Sequence, residues 1–129
     1  MYLSSMDVTE RIVLNWETFK KYATKAASAR KDNNIPIFLE RLESCEVLTT
    51  PASTKIEFIG AFPGGLVEHS LRTIIYMNKL RTAYGLDKTI STDELIVTGL
   101  FHDIGKVGQI DNKVAYYLEQ KSAWHRDKL

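Results

Sequence analysis

The segment Ser91–Lys106, STDELIVTGLFHDIGK, decides how the rest of the chain is read. Ser91 and Glu94 have capping-box spacing, so a helix starts here. Leu95, Ile96, Val97, Leu100, Phe101 and Ile104 then place apolar side chains on nearly every side, and a helix that is apolar all round is a buried one. The segment nevertheless ends in His102 and Asp103. An ionised carboxylate in packed surroundings is costly unless it is paired, hydrogen-bonded or metal-bound, so Asp103 requires a partner. Lys106, three residues on, is one candidate. A cation shared with imidazoles is the other, because neutral His and ionised Asp are both ordinary ligands for divalent transition metals. Gly99, one turn before the pair, lets a neighbouring helix approach closely.

Working outward, Leu66 to Tyr84 supplies that neighbour, with Leu66, Val67, Leu71, Ile74, Met77, Leu80 and Tyr84 as its inward arc and Gly85 as its stop. His69 falls in its first turn at the edge of the arc, and antiparallel packing brings its ring towards His102 and Asp103. Glu68 beside it is read as facing water. Upstream, Ile12, Val13, Trp16, Phe19, Lys20, Ala23 and Ala27 recur at three and four, predicting a helix from Ser5 to about Ala29 with Ser4 or Ser5 as its cap. Pro36 suits the first turn of a shorter helix carrying Ile37, Phe38, Leu39, Leu42 and Cys45 and ending near Val47. From Thr49 to Gly65, prolines and glycines without helical period predict a long connection, and connections of that length are usually functional or mobile. Val114 to Leu118 reads as strand or helix, and Ser122 to Leu129 is largely polar. The pattern as a whole predicts an all-α bundle of four or five helices forming one domain over residues 1–129.

Composition narrows the function. The 129 residues are 44% hydrophobic, enough for one core and too few for two. Seventeen Lys plus Arg against sixteen Asp plus Glu leave +1, so no global field attracts a polyanion such as duplex DNA. Two local patches combine cations with aromatic rings as single strands require: Lys20, Lys21, Lys25, Arg30 and Lys31 with Phe19 and Tyr22, or Lys121, His125, Arg126 and Lys128 with Trp124. Glu10 and Glu17 share the first helix, however, and a solvated face is the stronger reading. No apolar run approaches the roughly 18 residues of a membrane span. The start lacks a signal peptide and the single Cys45 cannot form an internal disulfide, so the expectation is a cytoplasmic protein without a membrane partner. Cys45 is read as small core filler with no catalytic role.

GGLVEHS at Gly64–Ser70, followed by FHDIGK at Phe101–Lys106, resembles the HD-domain superfamily of metal-dependent phosphohydrolases. PASTK at Pro51–Lys55 is similar to the approach to the glycine pair in HD domains of phage and bacterial proteins, including YhaM-type exoribonucleases. The motif-bearing region covers roughly Pro51 to Gly108. The resemblance implies an HD-like helical bundle and a divalent metal ion (Mn, Fe, Co, Ni or, less suited to two imidazoles, Mg) held by His69, His102 and Asp103. It implies hydrolysis of a nucleotide or nucleic-acid phosphoester by a metal-activated water. Asp103 and Lys106 are then the catalytic residues, Asp103 as ligand and water-orienting group and Lys106 as the stabiliser of phosphate charge.

Two departures from the family pattern carry expectations of their own. The family's fourth ligand, a later Asp, does not map: Asp111 falls too soon, Asp127 lies among the last three residues, and neither is assigned. The chain therefore reads as a C-terminally truncated or minimal HD domain, and a bundle lacking its closing helix exposes apolar surface that favours self-association. Ile56, Glu57, Phe58 and Ile59 stand where relatives often carry a histidine, so a second metal site is not expected. The missing ligand motivates an alternative, a catalytically weakened HD-like module that binds a nucleotide, nucleic acid or partner protein in the same pocket.

Overall fold

The computed structural model describes residues 7–53, 57 and 60–107. Four helices lie in this part: α1 (Val8–Arg30), α2 (Asn34–Ser44), α3 (Gly65–Ala83) and α4 (Thr92–Phe101), with 3-10 turns at Val47–Thr49 and Ile104–Val107. No strand is present among the described residues, so the observed architecture is the all-α bundle expected.

The helix ends follow from local chemistry. Ser91 caps α4 as its spacing predicts, its hydroxyl accepting from the Glu94 amide at 3.2 Å. At α1 the cap is Asp7, whose Oδ1 accepts from the Glu10 amide at 2.8 Å; this replaces Ser4 and Ser5, which lie outside the described residues. The polar break is closed by the Asp32 carboxylate, which takes the amides of Asn34 (2.6 Å) and Ile35 (3.1 Å) at the entrance of α2. Gly85 adopts φ +65 where α3 ends, the left-handed conformation its side-chain-free backbone permits.

Helix α4 is the central element, packed against both α1 and α3. Its direction is fixed at both ends. Arg30 at the C-terminus of α1 pairs with Asp93 in the first turn of α4 at 3.1 Å, and His69 near the start of α3 meets Asp103 just past the end of α4. Thus α4 runs antiparallel to α1 and α3, which are parallel to each other. Leu95, Ile96 and Leu100 are buried, each contributing about 1.5–3 kcal/mol by removal from water. Phe101 joins an aromatic cluster, edge-on to Phe19 at 5.7 Å, and Phe19 stacks on Trp16 at 5.0 Å. Cys45 is buried, in keeping with a packing role.

The inward arcs are shorter than the periodicity suggests. Leu80 and Tyr84 are exposed; Tyr84 follows the last residue of α3, beyond Arg81, whose Nη1 reaches the Thr92 hydroxyl at the start of α4 at 3.3 Å. Val13 and Ile37 likewise face outward.

Glycines set two close approaches that position the site. A Cβ on Gly99 would lie 2.8 Å from Ile74 Cγ1 and 3.3 Å from Met77 Sδ, so α3 and α4 meet at the distance glycine allows. A Cβ on Gly65 would lie 2.0 Å from the Gly60 carbonyl oxygen. This contact draws the 50–64 connection onto the start of α3, where Leu66 donates to the Thr50 carbonyl (3.0 Å) and Ala52 to that of Gly60 (2.8 Å). In G99A, a helix-propensity gain of about 1 kcal/mol opposes an overpacking cost of about 1–3 kcal/mol. At Gly65 the obstacle is backbone. Urea denaturation is therefore expected to show G65A as the more destabilised of the two, and the reverse order would contradict this packing.

Candidate metal centre

His69 occupies the second turn of α3 and His102 is the residue that ends α4; Asp103 follows in the turn to the second 3-10 segment, closed by the Lys106 amide donating to the Asp103 carbonyl at 3.0 Å. The helix crossing at Gly99 brings these three together. His69 Nε2 lies 3.4 Å and His102 Nε2 3.3 Å from the same carboxylate oxygen, Asp103 Oδ2, and the two imidazole rings are 5.2 Å apart. One nitrogen or oxygen atom from each residue falls within 4.8 Å of the others.

The protonation of His102 follows from its second ring nitrogen. Nδ1 is 2.8 Å from the Gly99 carbonyl oxygen, which can only accept, so Nδ1 carries the hydrogen and donates. In the neutral ring this leaves Nε2 as a bare lone pair directed at a carboxylate, an arrangement that needs a proton or a cation between the two. An outer hydrogen bond that fixes a ring in this way is typical of metal-ligating histidines. The His69 imidazole is pushed below its ordinary value of 6.5, first by burial and then by His102 and Lys106, with Asp103 opposing. A neutral ring is the form that binds metal. Two imidazole nitrogens and one carboxylate oxygen thus fit a divalent transition ion by donor type and by spacing.

Asp103 is not enclosed as its apolar helix predicts. Its side chain keeps 30% of its exposure, because α4 ends at Phe101 and the turn carries the carboxylate to the rim of the bundle. Of the two candidate partners of Asp103, Lys106 lies with its Nζ 3.5 Å from the same Oδ2. The shorter contact of that ammonium is 2.7 Å to the buried Ala52 carbonyl, which ties the connection to the metal centre.

Glu68 corrects the sequence reading. It is buried, and its Oε1 accepts from Arg11 Nε at 2.7 Å and also pairs with Arg11 Nη2. Arg11 stacks at 5.1 Å over the Phe62 ring, so one guanidinium joins α1, the approach to the glycine pair and the turn that holds His69. A contact between residues so distant in sequence leaves no periodic signal. The Ala52 carbonyl was equally hidden, although Gly60 and Gly65 flag the close loop packing that presents it. The first basic patch loses three of its members: Phe19 is buried in the core, Lys20 is 3.1 Å from both Glu17 and Glu43, and Arg30 pairs with Asp93. The second patch, together with Asp111, Asp127 and Val114 to Leu118, lies outside the described residues.

The HD domain family model matches residues 66–128, a span that contains His69, His102, Asp103 and Lys106. No curated protein and no solved structure matches the chain. The match supports the HD-domain superfamily, whose members are generally metal-dependent phosphohydrolases. No described helix is long and apolar enough to cross a membrane.

The depressed His69 value gives a pH dependence. The unfolded chain binds the imidazole proton more tightly than the folded one, so metal-free stability rises with pH through the region just below 6.5 and falls on acidification. Protonation also competes with metal. Calorimetric titration with Mn²⁺ is expected to give an affinity that is flat above about pH 7 and weakens below the ordinary imidazole value; affinity that improves on acidification would contradict the assignment.

Proposed function

We propose that the chain is one HD-type phosphohydrolase domain spanning residues 1–129, which hydrolyses a phosphoester of a nucleotide or nucleic acid at the His69, His102 and Asp103 centre. The observation that carries this reading is the convergence of two imidazole nitrogens on one carboxylate oxygen, with the Gly99 carbonyl fixing the His102 tautomer. The family match over residues 66–128 supports the reaction class. The resemblance to the HD superfamily, with Pro51–Lys55 similar to phage and bacterial HD domains such as those of YhaM-type exoribonucleases, supports the substrate class, and the single Cys45 supports a cytoplasmic setting.

His69, His102 and Asp103 would hold the ion. A divalent cation there supplies Lewis acidity, making water more acidic at neutral pH and polarising a phosphoryl oxygen. The chain's own residues do the rest. Asp103 keeps Oδ1 for hydrogen bonding while Oδ2 faces the two rings, so it can orient the attacking water and accept its hydrogen bond. As the water oxygen bonds to phosphorus, the ester P–O bond breaks and the leaving oxygen takes up a proton. Lys106 has three N–H donors, one committed to Ala52 and one directed towards Asp103. The third is free to meet a phosphate oxygen as its charge develops. Side chains that keep about a third of their exposure at this rim suit a substrate that enters from solvent.

The test is turnover of a generic phosphodiester and of nucleoside phosphates in the presence of Mn²⁺ or Ni²⁺. Asp103→Ala is expected to abolish both bound metal and turnover. Lys106→Ala should retain metal and lower kcat/KM by about a hundredfold, the scale for losing one charge-stabilising donor. Turnover that survives Asp103→Ala contradicts the proposal, whereas metal bound by the unaltered protein without turnover on any substrate identifies the weakened binding module instead.

A further inference from the structure

Between α1 and α3, with α4 as floor, runs a groove made of two cavities of about 290 and 270 Å³ that share Tyr22 and Ile75. None of the three metal-binding residues lines it. Leu71, Ile74, Leu95 and Ile96 supply an apolar base. Its walls remain open to water, with Leu14 50%, Tyr22 37% and Ile75 51% exposed. From Leu14 to Lys25 the α1 wall extends about 16 Å, three helical turns.

The charge around this groove is one-sided. Lys25, Lys79 and Arg81 line the second cavity, and no carboxylate does so among the described residues. Among the described residues Arg81 donates to uncharged acceptors, the Ile90 carbonyl (3.1 Å), the Thr92 hydroxyl (3.3 Å) and Asn78 Oδ1 (2.9 Å), and no carboxylate pairs with it. In the first cavity the single carboxylate, Glu68, is met by both Arg11 and Arg72. A chain of net charge +1 therefore gathers a cationic surplus along one apolar groove.

We propose that this groove docks an acidic amphipathic helix of a partner protein. An open channel of three turns between two helices accepts anchors at i, i+3 or i+4 and i+7 from a third, and the cationic rim selects acidic flanks. A second copy of the chain joined groove to groove would set Lys25, Lys79 and Arg81 against cations of the same groove. The chain's own residues after Val107 carry Lys113, Lys121, Arg126 and Lys128 against Asp111, Glu119 and Asp127, so they have no acidic surplus to offer.

The probe is a stapled helical peptide of about three to four turns, with leucines at i, i+4, i+7 and i+11 and flanking glutamates, beside a twin carrying lysines in place of the glutamates. Fluorescence anisotropy with the full-length protein at low salt is expected to show the acidic peptide binding at least about tenfold tighter than its twin, with the preference shrinking as salt rises. Ile75→Glu, at a half-exposed position that thermal melting should show to be tolerated, is expected to abolish binding. The double variant Lys25→Glu/Lys79→Glu should erase the preference for acid. No binding, equal binding of the twins, or binding indifferent to Ile75→Glu overturns the proposal. A dimer in sedimentation velocity that Ile75→Glu dissociates assigns the groove to a second copy and overturns it too. So does an Ile75→Cys variant that refuses a maleimide label in the unliganded protein, because the chain's own residues then cover the groove.

Discussion

The distance between α3 and α4 at Gly99 is the constraint on which the site depends. With no side chain at that position, Ile74 packs directly against the α4 backbone, and the two helices are held close over the turns that end at His69 on one side and His102 on the other. Even a methyl group there would require Ile74 and Met77 to move. The catalytic proposal therefore rests first on packing. Interiors are dense enough that such a spacing takes one value rather than a range.

At that spacing, electrostatics completes the site. The carbonyl of the same Gly99 that permits the approach also accepts from His102 Nδ1 and so turns the free Nε2 lone pair towards Asp103. Burial lowers the proton affinity of His69, and both imidazoles face one carboxylate oxygen. Around this donor set the chain places supports drawn from distant segments. Arg11 clamps Glu68 beside His69, and Lys106 ties Ala52 and the glycine-rich connection to the rim. Removing Arg11 would leave the buried Glu68 carboxylate only the longer contact with Arg72 at 3.9 Å, which makes Arg11 the main support of the turn that holds His69.

Much of this was legible in the sequence because helices encode their contacts locally. Ser91 and Glu94 announced α4, Gly85 and Pro36 punctuated the chain, and the apolar arc of α3 placed His69 where antiparallel packing meets His102 and Asp103. Features that depend on where one helix outruns another were not legible. Tyr84 obeys the period yet lies beyond the end of α3, and Asp103 follows an apolar helix yet emerges at the rim. Contacts made across long stretches of chain were also hidden: Arg11 with Glu68, Lys20 with Glu43, Arg30 with Asp93 and Lys106 with the Ala52 carbonyl. Each of these decides whether a charged residue is free or engaged. Residue type alone left a nucleic-acid surface as the weaker reading of the first basic patch, and pairing removes it for Lys20 and Arg30.

The central claim is that one ion is shared by His69, His102 and Asp103. Its most direct test is an anomalous difference map at the manganese edge from crystals of the full chain grown with Mn²⁺. A single strong peak within bonding distance of His69 Nε2, His102 Nε2 and an Asp103 carboxylate oxygen is the result this account requires. A map without that peak, in which water or the Lys106 ammonium alone bridges the three groups, would contradict it.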